Sequence, residues 1–106
     1  MKIIVREAQE KDMTDVINLI KELAEFEKEP NEVEIDSTIL VNDGFGEKSY
    51  FKCFVAENKN SIIGAAIIYN RYSTWKGRTI HLEDLIVTEN MRTNGVGTLL
   101  LDKVVN

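Results

Sequence analysis

Apolar side chains recur every three or four positions early in the chain. Met13, Val16, Ile17, Ile20, Leu23 and Ala24 make one stripe, and their spacing predicts an amphipathic helix from about Glu10 to Glu27, ended by Pro30 and Asn31. Ahead of it, Ile3-Ile4-Val5-Arg6 reads as a short strand. A second, shorter helix is predicted from Asp36 as N-cap, Ile39 and Leu40 facing inward and Gly44 as the stop, with a loop starting at Phe45-Gly46. From Tyr50 the period drops to two: Phe51, Cys53 and Val55 share one face, Phe54 and Ala56 the other. The turn residues Asn58-Lys59-Asn60-Ser61 lead into Ile62–Tyr69, an apolar run buried on both faces, so the two segments form a hairpin. A loop, Ser73-Thr74-Trp75-Lys76-Gly77, joins this to a third strand from Arg78 to Val87, and Leu99–Val105 again reads as helix. The predicted order is β-α-α-β-β-β-α, an α/β (α+β) class with a mainly antiparallel sheet.

Composition narrows the setting. The chain has 106 residues, 43% of them hydrophobic, enough for one domain with a core. No apolar stretch approaches the roughly 20 residues needed to span a bilayer, and Met1-Lys2-Ile3-Ile4-Val5 is too short and too soon charged for a signal peptide, so a cytoplasmic location is expected. The single Cys53 excludes an internal disulfide and reads as core packing. A net charge of -5 argues against a nucleic-acid partner and mildly favours a cationic one, although such a balance is also ordinary for a solvated surface.

The candidate chemistry centres on Arg92-Thr93-Asn94-Gly95-Val96-Gly97-Thr98, between the third hairpin strand and the last helix. Strand, glycine-paired turn and helix start in that order gather backbone N–H groups at a helix N-terminus, where they and the dipole favour an anion such as a phosphate. A Walker loop would need Lys and Ser or Thr right after its second glycine, but Thr98 and Leu99 follow Gly97; a dinucleotide fingerprint would need a third glycine where Leu100 stands. The plain alternative is a strand-turn-helix corner whose glycines serve backbone geometry alone.

The remaining Arg-x-x-Gly-x-Gly pattern resembles the pyrophosphate loop of the GNAT acetyl-coenzyme A-dependent N-acetyltransferases. The segment Ile20-Lys21-Glu22-Leu23-Ala24-Glu25-Phe26-Glu27, the loop Asn42-Asp43-Gly44-Phe45-Gly46-Glu47, the turn Trp75-Lys76-Gly77 and Leu82-Glu83-Asp84 are similar, in register, to the spermidine/spermine N-acetyltransferase branch, which includes thialysine acetyltransferases. The resemblance implies the GNAT fold, acetyl-coenzyme A as co-substrate and a small primary amine as acceptor, polyamine-like or amino-acid-like, with no metal. Polyamine enzymes carry an acidic residue just before this tryptophan; Ser73 and Thr74 stand here, so a shorter or amino-acid-like amine is as good an expectation as spermidine.

It further implies that the backbone of Leu85, Ile86 and Val87 receives the pantetheine arm, and that Thr93, Asn94, Gly95, Val96, Gly97 and Thr98 hold the pyrophosphate. Arg92 either supports the phosphates or caps the preceding loop. Glu83 is the candidate base, taking the amine's proton through water, unless it only pairs with Arg78. Asp84 would point to the opposite face of a regular strand, so both carboxylates serve one site only if a bulge intervenes. Phe26 and Glu27 match positions bordering the amine, although Glu25, Glu27, Glu29, Glu32 and Glu34 would equally make a solvated acidic face. Trp75 either walls the site or anchors its loop, and His81 reads as a strand-face side chain without a nameable partner.

GNAT enzymes continue with a further strand, a helix and a terminal hairpin that carry the tyrosine acid. Nothing after Asn106 supplies them, so residues 1–106 are expected to be a single truncated GNAT domain, a fragment or shortened form of a full acetyltransferase, or else to have the open apolar edge covered by a second copy in a homodimer. A coenzyme A-binding but catalytically incomplete module, or a structural fragment that binds nothing, is the alternative function.

Overall fold

The computed structural model describes residues 2–92 and 94–105. Four strands form one antiparallel sheet in the order β1 (Ile4–Glu7), β2 (Lys52–Asn58), β3 (Ser61–Ser73) and β4 (Gly77–Val87). Helices α1 (Met13–Phe26) and α2 (Ser37–Phe45) cover one face, and α3 (Val96–Val105) covers the other. The element order is the predicted one.

The period-two reading of β2 holds. Cys53 and Val55 pack with Met13, Val16 and Ile17 of α1, while Phe54 and Ala56 pack with Val96 and Leu100 of α3. Both faces of the sheet are therefore core, which is why β2 and β3 carry nearly unbroken apolar runs. Burying a side chain such as Met13 or Val16 completely contributes roughly 1.5–3 kcal/mol each. Leu19, outside the predicted stripe, is also buried and widens the apolar face of α1 beside Val16 and Leu23.

Three boundaries of α1 and α2 differ from expectation, each for a local reason. Residues Glu10–Asp12 form a 3-10 turn before α1, held by the Asp12 carboxylate, which accepts from the Gln9 N–H at 2.7 Å and from Arg6 at 2.8 and 3.1 Å. The end of α1 is made before Pro30: Lys28 takes φ 60, in the left-handed region, and Glu29 N–H returns to the Ala24 carbonyl at 2.8 Å. Gly44 does not stop α2, which runs through Phe45. Its glycine makes room for Phe51, whose ring Cζ would lie 2.5 Å from an added Cβ.

The hairpin between β2 and β3 turns on Lys59 and Asn60, with φ 50 and 66, the two-residue geometry that matches strand twist. In β3–β4, Ile67 faces Asp84 and Ile68 faces Leu82, so Glu83 has no opposite residue. It occupies a β-bulge.

Candidate active site

At the start of α3, Val96, Gly97 and Thr98 precede the first helical acceptor-donor closure, Leu99 N–H to the Gly95 carbonyl at 3.1 Å. Their N–H groups are the orphan donors of a helix N-terminus, backed by the positive end of its dipole. The two glycines beside them have different causes. Gly95 has φ +76, a conformation that L side chains rarely adopt. Gly97 lies inside the helix without a positive φ, and an added Cβ there would meet only Leu85 Cδ2, at an ordinary 3.8 Å. Among the described residues nothing requires a glycine at 97, and glycine in a helix costs about 1 kcal/mol relative to alanine. Backbone geometry therefore accounts for Gly95 and leaves Gly97 unexplained by the protein's own packing. Thr93 lies outside the described residues.

Helix α3 is pressed onto the sheet at Gly64, where an added Cβ would lie 3.0 Å from the Ile86 carbonyl, 3.1 Å from Leu100 and 3.2 Å from Val96. This close approach seats the helix start beside the end of β4. β4 pairs only with β3, so the opposite edge of Leu85, Ile86 and Val87 offers backbone groups outward. Thr88 N–H bonds inward to the Ile63 carbonyl, and the outward Val87 carbonyl accepts from Arg92 Nε at 3.0 Å. The Arg92 guanidinium also lies 4.8 Å from the Phe26 ring centroid and 3.9 Å from Glu22. These contacts tie Arg92 to the loop that follows β4 and to the end of α1.

The bulge at Glu83 supplies the condition under which neighbouring carboxylates share a site. Asp84 is partly buried and its carboxyl is raised above the usual range, by desolvation first and then by the charges of Glu83 and Glu27. These three acids, from the middle of β4 and the end of α1, form one electrostatic group. Glu83 is exposed, and among the described residues it forms no ion pair, with Arg78 or any other cation. Phe26, next to Glu27, is 68% exposed with Arg92 against its ring.

Trp75 is 94% exposed, so its ring is open to solvent. His81 does have a partner: it faces Tyr69 across the β3–β4 ladder, ring centroids 5.0 Å apart. Cys53 is buried, its thiol pushed up to about 12 by burial and by Asp12, as befits an unreactive core side chain. Among the described residues no group of three or more His, Cys, Asp or Glu side chains is placed to hold a metal ion, and no helix is long and apolar enough to cross a membrane.

The sequence profile of the acetyltransferase (GNAT) family matches residues 13–106. The chain belongs to this family. Among similar proteins, the thialysine N-epsilon-acetyltransferase of Mus musculus is 42% identical over 94% of this chain and 64% of its own length. The spermidine/spermine N(1)-acetyltransferase-like protein 1 of Homo sapiens is 32% identical over 94% of this chain and 15% of its own. The chain thus spans a little under two thirds of the thialysine relative. Among solved structures, an aminoglycoside acetyltransferase from an uncultured soil sample superposes with a TM-score of 0.75 at 23% identity, covering 97% of this chain and 67% of that one. A ribosomal-protein-alanine N-acetyltransferase from Brucella melitensis does so with a TM-score of 0.75 at 17% identity, covering 98% and 70%. At these identities the likeness is one of fold, and it agrees with the expected GNAT architecture.

Proposed function

We propose that this chain carries the coenzyme A-binding and amine-facing part of an N-acetyltransferase for small primary amines of the thialysine or polyamine kind. The observation that carries the reading is Gly97, a helix glycine that the chain's own packing does not need and whose missing Cβ leaves the orphan N–H groups open to a pyrophosphate. Acetyl-coenzyme A supplies the thioester when bound; residues Arg92 and Asn94 to Thr98 border its pyrophosphate, and the backbone of Leu85, Ile86 and Val87 borders the pantetheine arm.

Glu83 is the proposed base. A primary amine with a pKa near 10.4 is mostly protonated at neutral pH, and presenting it neutral costs on the order of 4–5 kcal/mol. Glu83, exposed at the bulge and without a cationic partner among the described residues, takes that proton through a water as the amine nitrogen bonds to the acetyl carbon and the carbon–sulfur bond breaks, releasing coenzyme A as its thiolate. Asp84 and Glu27 supply negative potential for the incoming ammonium, with the faces of Phe26 and Trp75 beside it. The raised carboxyl of Asp84 supports a second arrangement, in which Asp84 takes the proton and Glu83 contributes only its field.

The test is calorimetric titration with acetyl-coenzyme A followed by thiol release in the presence of thialysine, lysine, a diamine or spermidine. Binding with amine-dependent release is expected; binding with no release by any amine leaves a coenzyme A-binding module. Glu83→Gln is expected to lower kcat by 10²-fold or more, with Asp84→Asn changing mainly the KM for amine. The reverse pattern would move the base to Asp84.

A further inference from the structure

We infer that Glu22 is a positioning residue for coenzyme A, acting through a clasp that holds the loop ahead of the cradle. This rests on the cradle reading above.

Three residues of one loop segment meet at Glu22. Its Oε1 accepts from the Thr88 hydroxyl at 2.9 Å and its Oε2 from the Glu89 backbone N–H at 3.0 Å, across 66 and 67 residues of sequence. Arg92 Nη2 lies 3.9 Å from the same carboxylate. One helical turn on, Phe26 places its ring under the Arg92 guanidinium, whose Nε reaches back to the Val87 carbonyl. Glu22 and Phe26 are four residues apart and so lie on one ridge of α1. That ridge grips both ends of the segment 88–92, which connects the pantetheine edge of β4 to the N-terminus of α3.

A carboxylate so near an anion site is otherwise hard to account for. By charge alone it opposes a pyrophosphate and offsets Arg92. Its accepted hydrogen bonds do the opposite work: they fix the Thr88 and Glu89 backbone, and with it the angle at which the chain enters the cradle, so that the α3 donors are aimed before the ligand arrives. Arg92 acts in the same way, as a cap on this loop.

The two effects of Glu22 have opposite signs in one measurement. The full chain is titrated with coenzyme A by calorimetry, as wild type, Glu22→Ala, Glu22→Gln and Thr88→Val, with the exchange rate of the Glu89 amide followed by NMR without ligand. Positioning predicts affinity at least tenfold weaker in Glu22→Ala, within threefold of wild type in Glu22→Gln, and severalfold weaker in Thr88→Val, with faster Glu89 exchange in Glu22→Ala. Unchanged or tighter binding in Glu22→Ala overturns the inference and leaves the cradle reading intact. If Glu22→Ala does not fold, Thr88→Val decides, and unchanged binding there overturns it. Failure of the wild-type chain to bind coenzyme A overturns the cradle reading and this inference together.

Discussion

At Gly97 stability and ligand binding pull in opposite directions. Gly97→Ala adds a methyl group against Leu85 at ordinary contact distance. It is expected to raise unfolding stability by about 0.5–1 kcal/mol in urea melts, through better helix propensity and a stiffer unfolded chain. The same methyl narrows the cradle, and coenzyme A affinity is expected to fall tenfold or more. A variant that gains stability and keeps its affinity would return Gly97 to chance. Asp12 is a residue of the opposite kind, buried for structure. Arg6 lowers its carboxyl below the usual range, followed in effect by the Gln9 N–H, against the cost of burial. A depressed carboxyl contributes stability that is complete above the unfolded pKa of about 3.9 and is lost as pH falls through the folded value. Asp12→Asn is expected to cost about 3 kcal/mol at pH 7, because Arg6 then loses the closer of its two carboxylate partners among the described residues and keeps Glu57, and the gap between variant and wild type should close in melts run near pH 2.

Among the elements, α1 does the most varied work. One face closes the core over β2 and β3, its start is tied to β1 through Arg6 and Asp12, and its last turns hold the segment 88–92 and bring Glu27 towards Asp84. Its C-terminus carries a removable cost. Lys28 sits at φ 60, where glycine is the favoured residue, so Lys28→Gly is expected to stabilise the fold by about 0.5–1 kcal/mol in denaturant melts. Destabilisation instead would mean that the lysine side chain contributes more than its backbone strain. The β-bulge in β4 is the other element with a functional consequence. One unpaired residue breaks the alternation of the strand, and two successive carboxylates then lie in one another's field.

For the whole molecule, the unfinished surface lies at β4 and α3. β4 has a single strand neighbour, and Ile80, Leu82, Leu99, Leu101 and Val105 are exposed. An open strand edge beside exposed aliphatic side chains favours association. Light scattering of this chain is expected to give twice the 12.1 kDa protomer mass at micromolar concentration, and a protomer mass throughout would contradict the homodimer.

Much of this protein was legible along the chain, because the determinants are local. Helix and strand order follow from the 3.6- and two-residue periods, the two-faced core from the unbroken runs of β2 and β3, and the strand-to-helix junction from the glycine pair that marks it. The sequence also raised the bulge as a condition for Glu83 and Asp84 to act together, but register is a relation between strands, and only the pairing of Ile67 with Asp84 and Ile68 with Leu82 decided it. Gly44 looked like a stop because its partner, Phe51, is seven residues away and on another element. His81 lacked a partner until the ladder placed Tyr69 opposite. Glu22 passed unnoticed among the polar positions of α1, since its contacts lie 66 and 67 residues downstream and no spacing signals them. Sequence determined what each segment is, through periods and turns shorter than a dozen residues. Tertiary structure decided which side chains meet, because those meetings depend on the docking of whole elements.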